Sequence, residues 1–256
     1  MDLNLDKSIV GSYHSQSQIA RILTEGWVGK NMFCPRCGSL HISHFENNRP
    51  VADFFCPTCN NEYELKSKNG TIRHKVADSA YEAMIKRITG NQNPDFFFMS
   101  YSMADGKVND FILIPKYFFV PDIIEKRKPL AETARRAGWV GCNIRMDKIP
   151  EQCKIPIVSN GKVSDVDSVI KQANKSSRLE IKNIGSRGWL MDILNCVNRI
   201  STPIFTLDAM YAFEKELQIK HPQNNHIKPK IRQQLQFLRD KGFVEFLGDG
   251  HYRKML

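Results

Sequence analysis

An α/β chain in two domains is what these 256 residues predict, the first domain carrying an inserted four-cysteine site and the second built from three helices and a hairpin. Three observations carry that expectation. Paired Cys-x-x-Cys knuckles frame short alternating strands near the start of the chain. Apolar residues recur at helical spacing through the last 74 residues. Between these regions Lys171–Gly188 (KQANKSSRLEIKNIGSRG) offers few side chains to bury and reads as a linker. The boundary is expected near residue 182, giving domains 1–182 and 183–256.

Charge narrows the function classes. Lys and Arg number 37 against 27 Asp and Glu, a net of +10, with +6 up to Lys182 and +4 after it. A balance this basic favours a polyanionic partner, with nucleic acid ahead of a membrane surface because no basic amphipathic helix is evident. No apolar run approaches the roughly 18 residues of a membrane span. The start, MDLNLDKSIV, has neither the basic nor the apolar region of a signal peptide. No membrane partner and a cytoplasmic location are therefore expected.

Seven cysteines, at 34, 37, 56, 59, 142, 153 and 196, speak against a disulfide framework. Four of them form Cys34-Pro-Arg-Cys37 and Cys56-Pro-Thr-Cys59, 18 residues apart. Each knuckle lets a tight turn aim two sulfurs at one ion, and two knuckles close a tetrahedral thiolate shell around Zn²⁺. With no position left for water, that zinc is structural. Cys142, Cys153 and Cys196 have no partner at ligand spacing and read as small apolar fillers.

Arg49–Phe55 reads as a strand entering the second knuckle and Glu62–Lys66 as one leaving it. If Cys56–Asn61 is the turn between them, Phe55 faces Glu62, Phe54 faces Tyr63 and Asp53 faces Glu64. Period-two alternation then puts Lys66 on the face of Asp53 and Glu64, with Phe54, Tyr63 and Leu65 on the other. Two close carboxylates repel unless a divalent cation lies between them, which is how Mg²⁺ is held with a substrate phosphate. The adjacent amine can orient a water and stabilise developing charge.

Pro50…Asp53…Glu64-Leu65-Lys66 resembles the PD-(D/E)xK nuclease motif. Two other acid-x-Lys triplets occur. Asp105-Gly106-Lys107 lies in a turn, and Glu180-Ile181-Lys182, preceded by Asp165 and Asp167, lies in the linker. An exposed face of a zinc hairpin is the alternative for the first triplet.

In the tail, Trp189, Ile193, Leu194, Val197 and Ile200 recur on one helix face. Ile204–Thr206 reads as a short strand whose Thr206 caps a helix burying Leu207, Met210, Tyr211 and Leu217. A third helix, about His226–Lys241, repeats Ile227, Ile231, Leu235 and Leu238 and turns Lys230, Arg232, Gln233 and Gln236 outward. Pro229 fits only its first turn. Gly242 ends it, and Phe243–Phe246, Gly248-Asp249-Gly250 and His251–Lys254 form a hairpin, which is winged-helix order. Arg232, Gln233 and Gln236 suit base edges, while Lys230, Arg253 and Lys254 suit phosphates.

Taken in order, ARILTEGWV (20–28), the knuckles, HFENNRPVADFFC (44–56), YELKSK (63–68), NPDFFFMSY (93–101), KPLAETARRAGWVGCNI (128–144), SRGW (186–189), DILNC (192–196) and NNHIKPKIRQQLQFLRDK (224–241) resemble the DpnI-type methyl-directed (type IIM) restriction endonucleases. The resemblance implies Mg²⁺-dependent cutting of double-stranded DNA at GATC sites carrying N6-methyladenine, read by both domains, by a monomer. Asp53, Glu64 and Lys66 would be catalytic, with Mg²⁺ on Asp53, Glu64 and the Leu65 carbonyl. Arg135 and Arg136 would contact DNA, and Trp139 would line the methyl-adenine pocket. A zinc-ribbon and winged-helix regulator without catalysis fits the same charge, zinc and tail; only Asp53, Glu64 and Lys66 separate the two readings.

Overall fold

Leu23, Trp27 and Val28 share one helical face, and Gln16–Asn31 is helix α1 of the computed structural model, which describes residues 1–46, 52–90 and 93–255. There follow β1 (Ser43–His44), β2 (Phe54–Phe55), β3 (Glu62–Asn69), β4 (Lys75–Ala80), α2 (Tyr81–Thr89), β5 (Asp95–Ser102) and β6 (Lys107–Ile114). Next come β7 (Ile124–Lys126), β8 (Gly141–Arg145), β9 (Ile155–Ser159), β10 (Lys162–Val163) and α3 (Val166–Ser177). The tail holds α4 (Ile184–Arg199), β11 (Ile204–Thr206), α5 (Leu207–Tyr211), α6 (Glu214–Lys220), α7 (Ile227–Asp240), β12 (Val244–Gly248) and β13 (His251–Lys254).

The largest sheet among the described residues has seven strands in the order β1-β2-β3-β5-β6-β9-β10. β3 and β5 pair in parallel, joined by a crossover through β4 and α2, and the sheet's other pairs are antiparallel. The Phe96–Met99 run is explained by β5 lying in the middle of this sheet with both faces covered. Phe96 and Phe98 join a core with Met84, Phe118 and Ile144, while Phe97 and Met99 join one with Trp27, Tyr63 and Phe111. Phe97 stacks on Tyr63 at 4.7 Å and packs on Phe111 at 4.9 Å. A second sheet, β4-β8-β7, and a third, β11-β13-β12, are both antiparallel.

The strand expected over Arg49–Phe55 is shorter: β2 is Phe54–Phe55, and Arg49, Pro50 and Val51 lie outside the described residues. The expected linker is also corrected. Lys171–Ser177 is the second half of α3 and Asn183 already caps α4, its side chain accepting from the Ser186 N–H at 2.9 Å. α3 is polar because few of its side chains, Val169 and Ser176 among them, are buried. The regions on either side share a core running from Val76, Met84 and Phe118 through Met191 and Leu194 to Met210 and Leu235. Polar contacts reinforce it: the Gln152 and Asn198 amides pair through both N–H donors, and Asn195 Nδ2 donates to the Lys148 carbonyl at 2.9 Å.

In the tail, Thr206 accepts from the Ala209 N–H at 3.1 Å, as its capping role requires. The helix expected after it is broken at Ala212–Phe213 into α5 and α6, which still bury Met210 and Leu217. α7 begins at Ile227, so Pro229 is its third residue, where a helical N–H has no intrahelical partner to lose. No helix among the described residues is long and apolar enough to cross a membrane.

Because one core spans residues 76 to 252, calorimetric unfolding should give a single transition. Two separate transitions would show that the packing of α4 against the rest adds little cooperativity.

Candidate active site and metal centre

Each knuckle turns the chain the same way. The Gly38 N–H bonds the Cys34 carbonyl at 2.9 Å and the Asn60 N–H bonds the Cys56 carbonyl at 2.8 Å. The residue after each second cysteine is left-handed, Gly38 at φ 79° and Asn60 at φ 56°, as Gly and Asn tolerate best. The four sulfurs lie within 4.8 Å of one another, with Cys34–Cys59 and Cys37–Cys56 each at 3.6 Å. Zn–S bonds of about 2.3 Å place tetrahedral sulfurs about 3.8 Å apart, so the residues fit the ion. Four thiols so close cannot all ionise without a cation. Burial, then neighbouring thiols, push Cys34 up and Cys59 to about 12. At Cys56 burial is outweighed by the Cys59 and Thr58 amides and the other thiols, leaving it near 6.

The site connects directly to the sheet. The Tyr63 hydroxyl lies 3.0 Å from Cys34 Sγ, placed to donate to a thiolate. Tyr63 is on β3, and its neighbours in sequence, Glu62 and Glu64, point to the opposite face. The register is Phe54 opposite Tyr63 and Phe55 opposite Glu62, as the hairpin reading requires. It continues with the Asp53 N–H donating to the Tyr63 carbonyl at 2.9 Å.

On the front face, Glu64 is 8% exposed and each of its oxygens meets a cation. Oε1 accepts from Lys66 Nζ at 2.6 Å, and Oε2 accepts from Arg87 of α2. Lys66 also donates to Asp78 of β4. Burial raises the Glu64 carboxyl above its usual range, opposed by Lys66 and then Arg87. Burial works to lower Lys66, but Glu64 and Asp78 together outweigh it and keep the ammonium charged. Asp53 lies at the edge of β3, where β2 ends, and its Oδ2 accepts from the Leu65 N–H at 2.7 Å. Its carboxyl is raised by burial first, eased by that amide, and raised again by nearby Glu25.

Asp78, Arg87 and Glu25 are the members of this site that sequence reasoning missed. Glu25, on α1, pairs with Arg21 at 2.7 Å and His44 at 2.9 Å. None belongs to a motif, and only tertiary packing of β4, α2 and α1 against β3 brings them in. The competing triplets have structural uses. Asp165 caps α3, accepting from the Ser168 N–H at 2.9 Å, and Asp105 closes a turn with Ser102.

α7 presents Arg232, Gln233 and Gln236 to solvent, with Arg232 also donating to the Tyr211 hydroxyl at 3.0 Å. Lys230 is half-buried and donates to Gln233 at 2.7 Å. Arg253 is exposed on the β12–β13 hairpin, paired with Glu245 at 2.8 Å. Lys254 turns inward, donating to the Ile200 carbonyl, so in this conformation it ties that hairpin to α4. Arg135 and Arg136 are exposed in the loop joining β7 to β8. Trp139, half-buried at the base of that loop, carries the Arg136 guanidinium 4.8 Å above its ring. The ring also lies so close to Gly141 that a Cβ there would come within 2.7 Å of it.

A mixed α/β body with a four-cysteine cluster that could hold a metal ion and a C-terminal helix-turn-helix defines a DNA-acting protein. A family model described as DpnI, the Dam-replacing family, matches residues 1–182, and one described as the Dam-replacing HTH domain matches residues 185–254. The chain belongs to this DpnI-type, methyl-directed family.

Removal of zinc by a strong chelator should release one ion per chain and raise amide exchange across residues 30–66, leaving α7 protected. Unchanged exchange in metal-free protein would show that the knuckles hold without the ion.

Proposed function

We propose that this protein is a type II, methylation-dependent endonuclease that hydrolyses double-stranded DNA at GATC sites containing N6-methyladenine. The observation that carries the chemistry is the buried front face of β3, where Glu64 and Lys66 meet beside Asp53 at the open strand edge. In this reading residues 1–182 form a PD-(D/E)xK nuclease domain and residues 183–256 a winged-helix reader. The protein works as a monomer in the cytoplasm. The methyl-directed family supplies the substrate class.

The donor set suits Mg²⁺, which takes hard oxygens and few carboxylates beside a substrate phosphate. Asp53, Glu64 and the Leu65 carbonyl would hold it. In an extended strand the N–H and C=O of one residue face the same edge, and the Leu65 N–H faces Asp53. When bound, the ion supplies Lewis-acid polarisation of the phosphodiester and a more acidic water. Lys66 orients the attacking water and steadies charge developing on the phosphoryl oxygens. Arg87, released from part of its Glu64 contact, keeps that carboxylate from turning away. One Zn²⁺ on Cys34, Cys37, Cys56 and Cys59 is structural.

Both domains read the site. On α7, Arg232, Gln233 and Gln236 suit base edges and Lys230 a phosphate, as do Arg253 and, once freed from Ile200, Lys254. Arg135 and Arg136 supply phosphate contacts beside the front face. Trp139 offers the apolar surface an N6-methyl group needs.

With Mg²⁺, adenine-methylated plasmid should be cut and unmethylated plasmid left intact. Asp53→Ala and Lys66→Ala should each lower cutting by at least about 100-fold while methylated duplex is still bound, because the reader is intact. Tight binding with no cutting by the unaltered protein would make it a DNA-binding regulator instead. Trp139→Ala should reduce the ratio of methylated to unmethylated cutting; an unchanged ratio would remove Trp139 from the methyl pocket.

A further inference from the structure

Asp78 has no part in the chemistry described above, yet it is the most enclosed acid of the site. Its side chain is 0% exposed, although β4 is a strand of the smaller sheet with several exposed residues. The pairing of β4 with β8 is regular from Lys75 to Asp78 and then shifts before Ala80, so an extra residue bulges immediately after Asp78. A bulge of this kind re-aims the side chain beside it. Two donors fix one carboxylate oxygen: Oδ1 accepts from the Ser79 N–H at 2.7 Å and from Lys66 Nζ. The other, Oδ2, is buried with no hydrogen-bond partner among the described residues.

A buried, unpartnered carboxylate oxygen is unfavourable, and its position beside Lys66 explains it. An ammonium has three donors and no acceptor. In the structure Lys66 spends one on Glu64 and one on Asp78. The nuclease reading requires Glu64 to turn an oxygen to the metal, which takes that acceptor from Lys66. Without a second anion, the ammonium would then be held only by its own flexible chain.

We propose that Asp78 is a positioning residue for Lys66. As Glu64 engages the metal, the N–H it gives up passes to Asp78 Oδ2, so the carboxylate grips the ammonium through both oxygens. The third N–H is left pointing at the reacting phosphate and water. The Ser79 amide and the bulge keep the carboxylate from following Lys66 out, and Arg87 serves Glu64 as Asp78 serves Lys66. This inference rests on the nuclease reading; the two fail in different experiments.

The test uses the full chain with zinc bound and compares Asp78→Asn, Asp78→Glu and Lys66→Ala with the unaltered protein. Single-turnover cutting of methylated duplex at saturating Mg²⁺ should fall about 100-fold in Asp78→Asn, the loss expected when a reacting group is misplaced by an ångström. Duplex affinity measured by anisotropy with Ca²⁺ in place of Mg²⁺ should not change, and this also reports that the variant is folded. Asp78→Glu should recover part of the rate. In zinc-bound protein without Mg²⁺, acetylation of Lys66 read by mass spectrometry should rise severalfold in Asp78→Asn, since the amine loses an anchor.

A normal cutting rate, or unaltered Lys66 acetylation, in folded Asp78→Asn would overturn the proposal. So would a full rate restored by raising Mg²⁺, which would make Asp78 a metal ligand. Full cutting by Lys66→Ala would overturn the nuclease assignment of Lys66 itself, whatever Asp78 does.

Discussion

The register between β2 and β3 is the constraint on which the rest of the first domain depends. Side chains alternate with period two, so a slip of one residue would send Glu64 and Lys66 to the core around Trp27 and Phe111 and Tyr63 to the polar front face. A pairing of two residues per strand is too short to resist such a slip alone. The turn that sets it is the second knuckle, and the Cys56 N–H bonds the Asn61 carbonyl at 2.9 Å across its base. The four-cysteine cluster therefore acts as the clip of a hairpin whose other end presents Asp53. Tyr63 makes the coupling two-sided, since the residue that reaches Cys34 on one face is the immediate neighbour of Glu64 on the other.

The same economy governs β5. Its parallel pairing with β3 carries the register inward, and its alternating Phe96, Phe97, Phe98 and Met99 serve the two cores in turn. α2, on the crossover between these strands, delivers Arg87 to Glu64, while β4 delivers Asp78 to Lys66. The core that holds Phe96 and Phe98 continues into α4, so the helix-turn-helix is seated against the body that carries the front face. A domain attached this way presents α7 in a defined orientation, with less of the freedom a flexible tether would allow.

Much of this was legible in the sequence because its strongest signals are local. Cysteine spacing reports the four-cysteine cluster, hairpin alternation reports which of Phe54, Phe55, Glu62 and Tyr63 face each other, and the 3.6 period reports α7 with its stripe at Ile227, Ile231, Leu235 and Leu238. What was not legible depends on partners distant in the chain. Asp78 is one acid in a strand whose meaning comes from a bulge against β8. Arg87 looks like any helix-surface base until α2 is laid across β3. The polar run at 171–188 was read as a linker because polarity reports exposure, and a helix packed through few side chains is as polar as a tether.

Charge explains why so crowded a front face is tolerable and what it selects. Among the described residues Glu25 is matched by Arg21, and Glu64 with Asp78 is matched by Lys66 with Arg87, which leaves Asp53 as the unbalanced anion of this set. Unbalanced charge in a water-poor site is costly, and burial acts on Asp53 accordingly, raising its carboxyl. Under the proposed chemistry a divalent cation alone would carry the site past neutrality to one net positive charge. A phosphodiester alone would deepen its negative charge. Only the cation and one phosphodiester together bring it to zero, so each improves the binding of the other through the same electrostatics. In that chemistry the net positive charge that draws a polyanion from a distance would end at a point that accepts the phosphate only together with the cation.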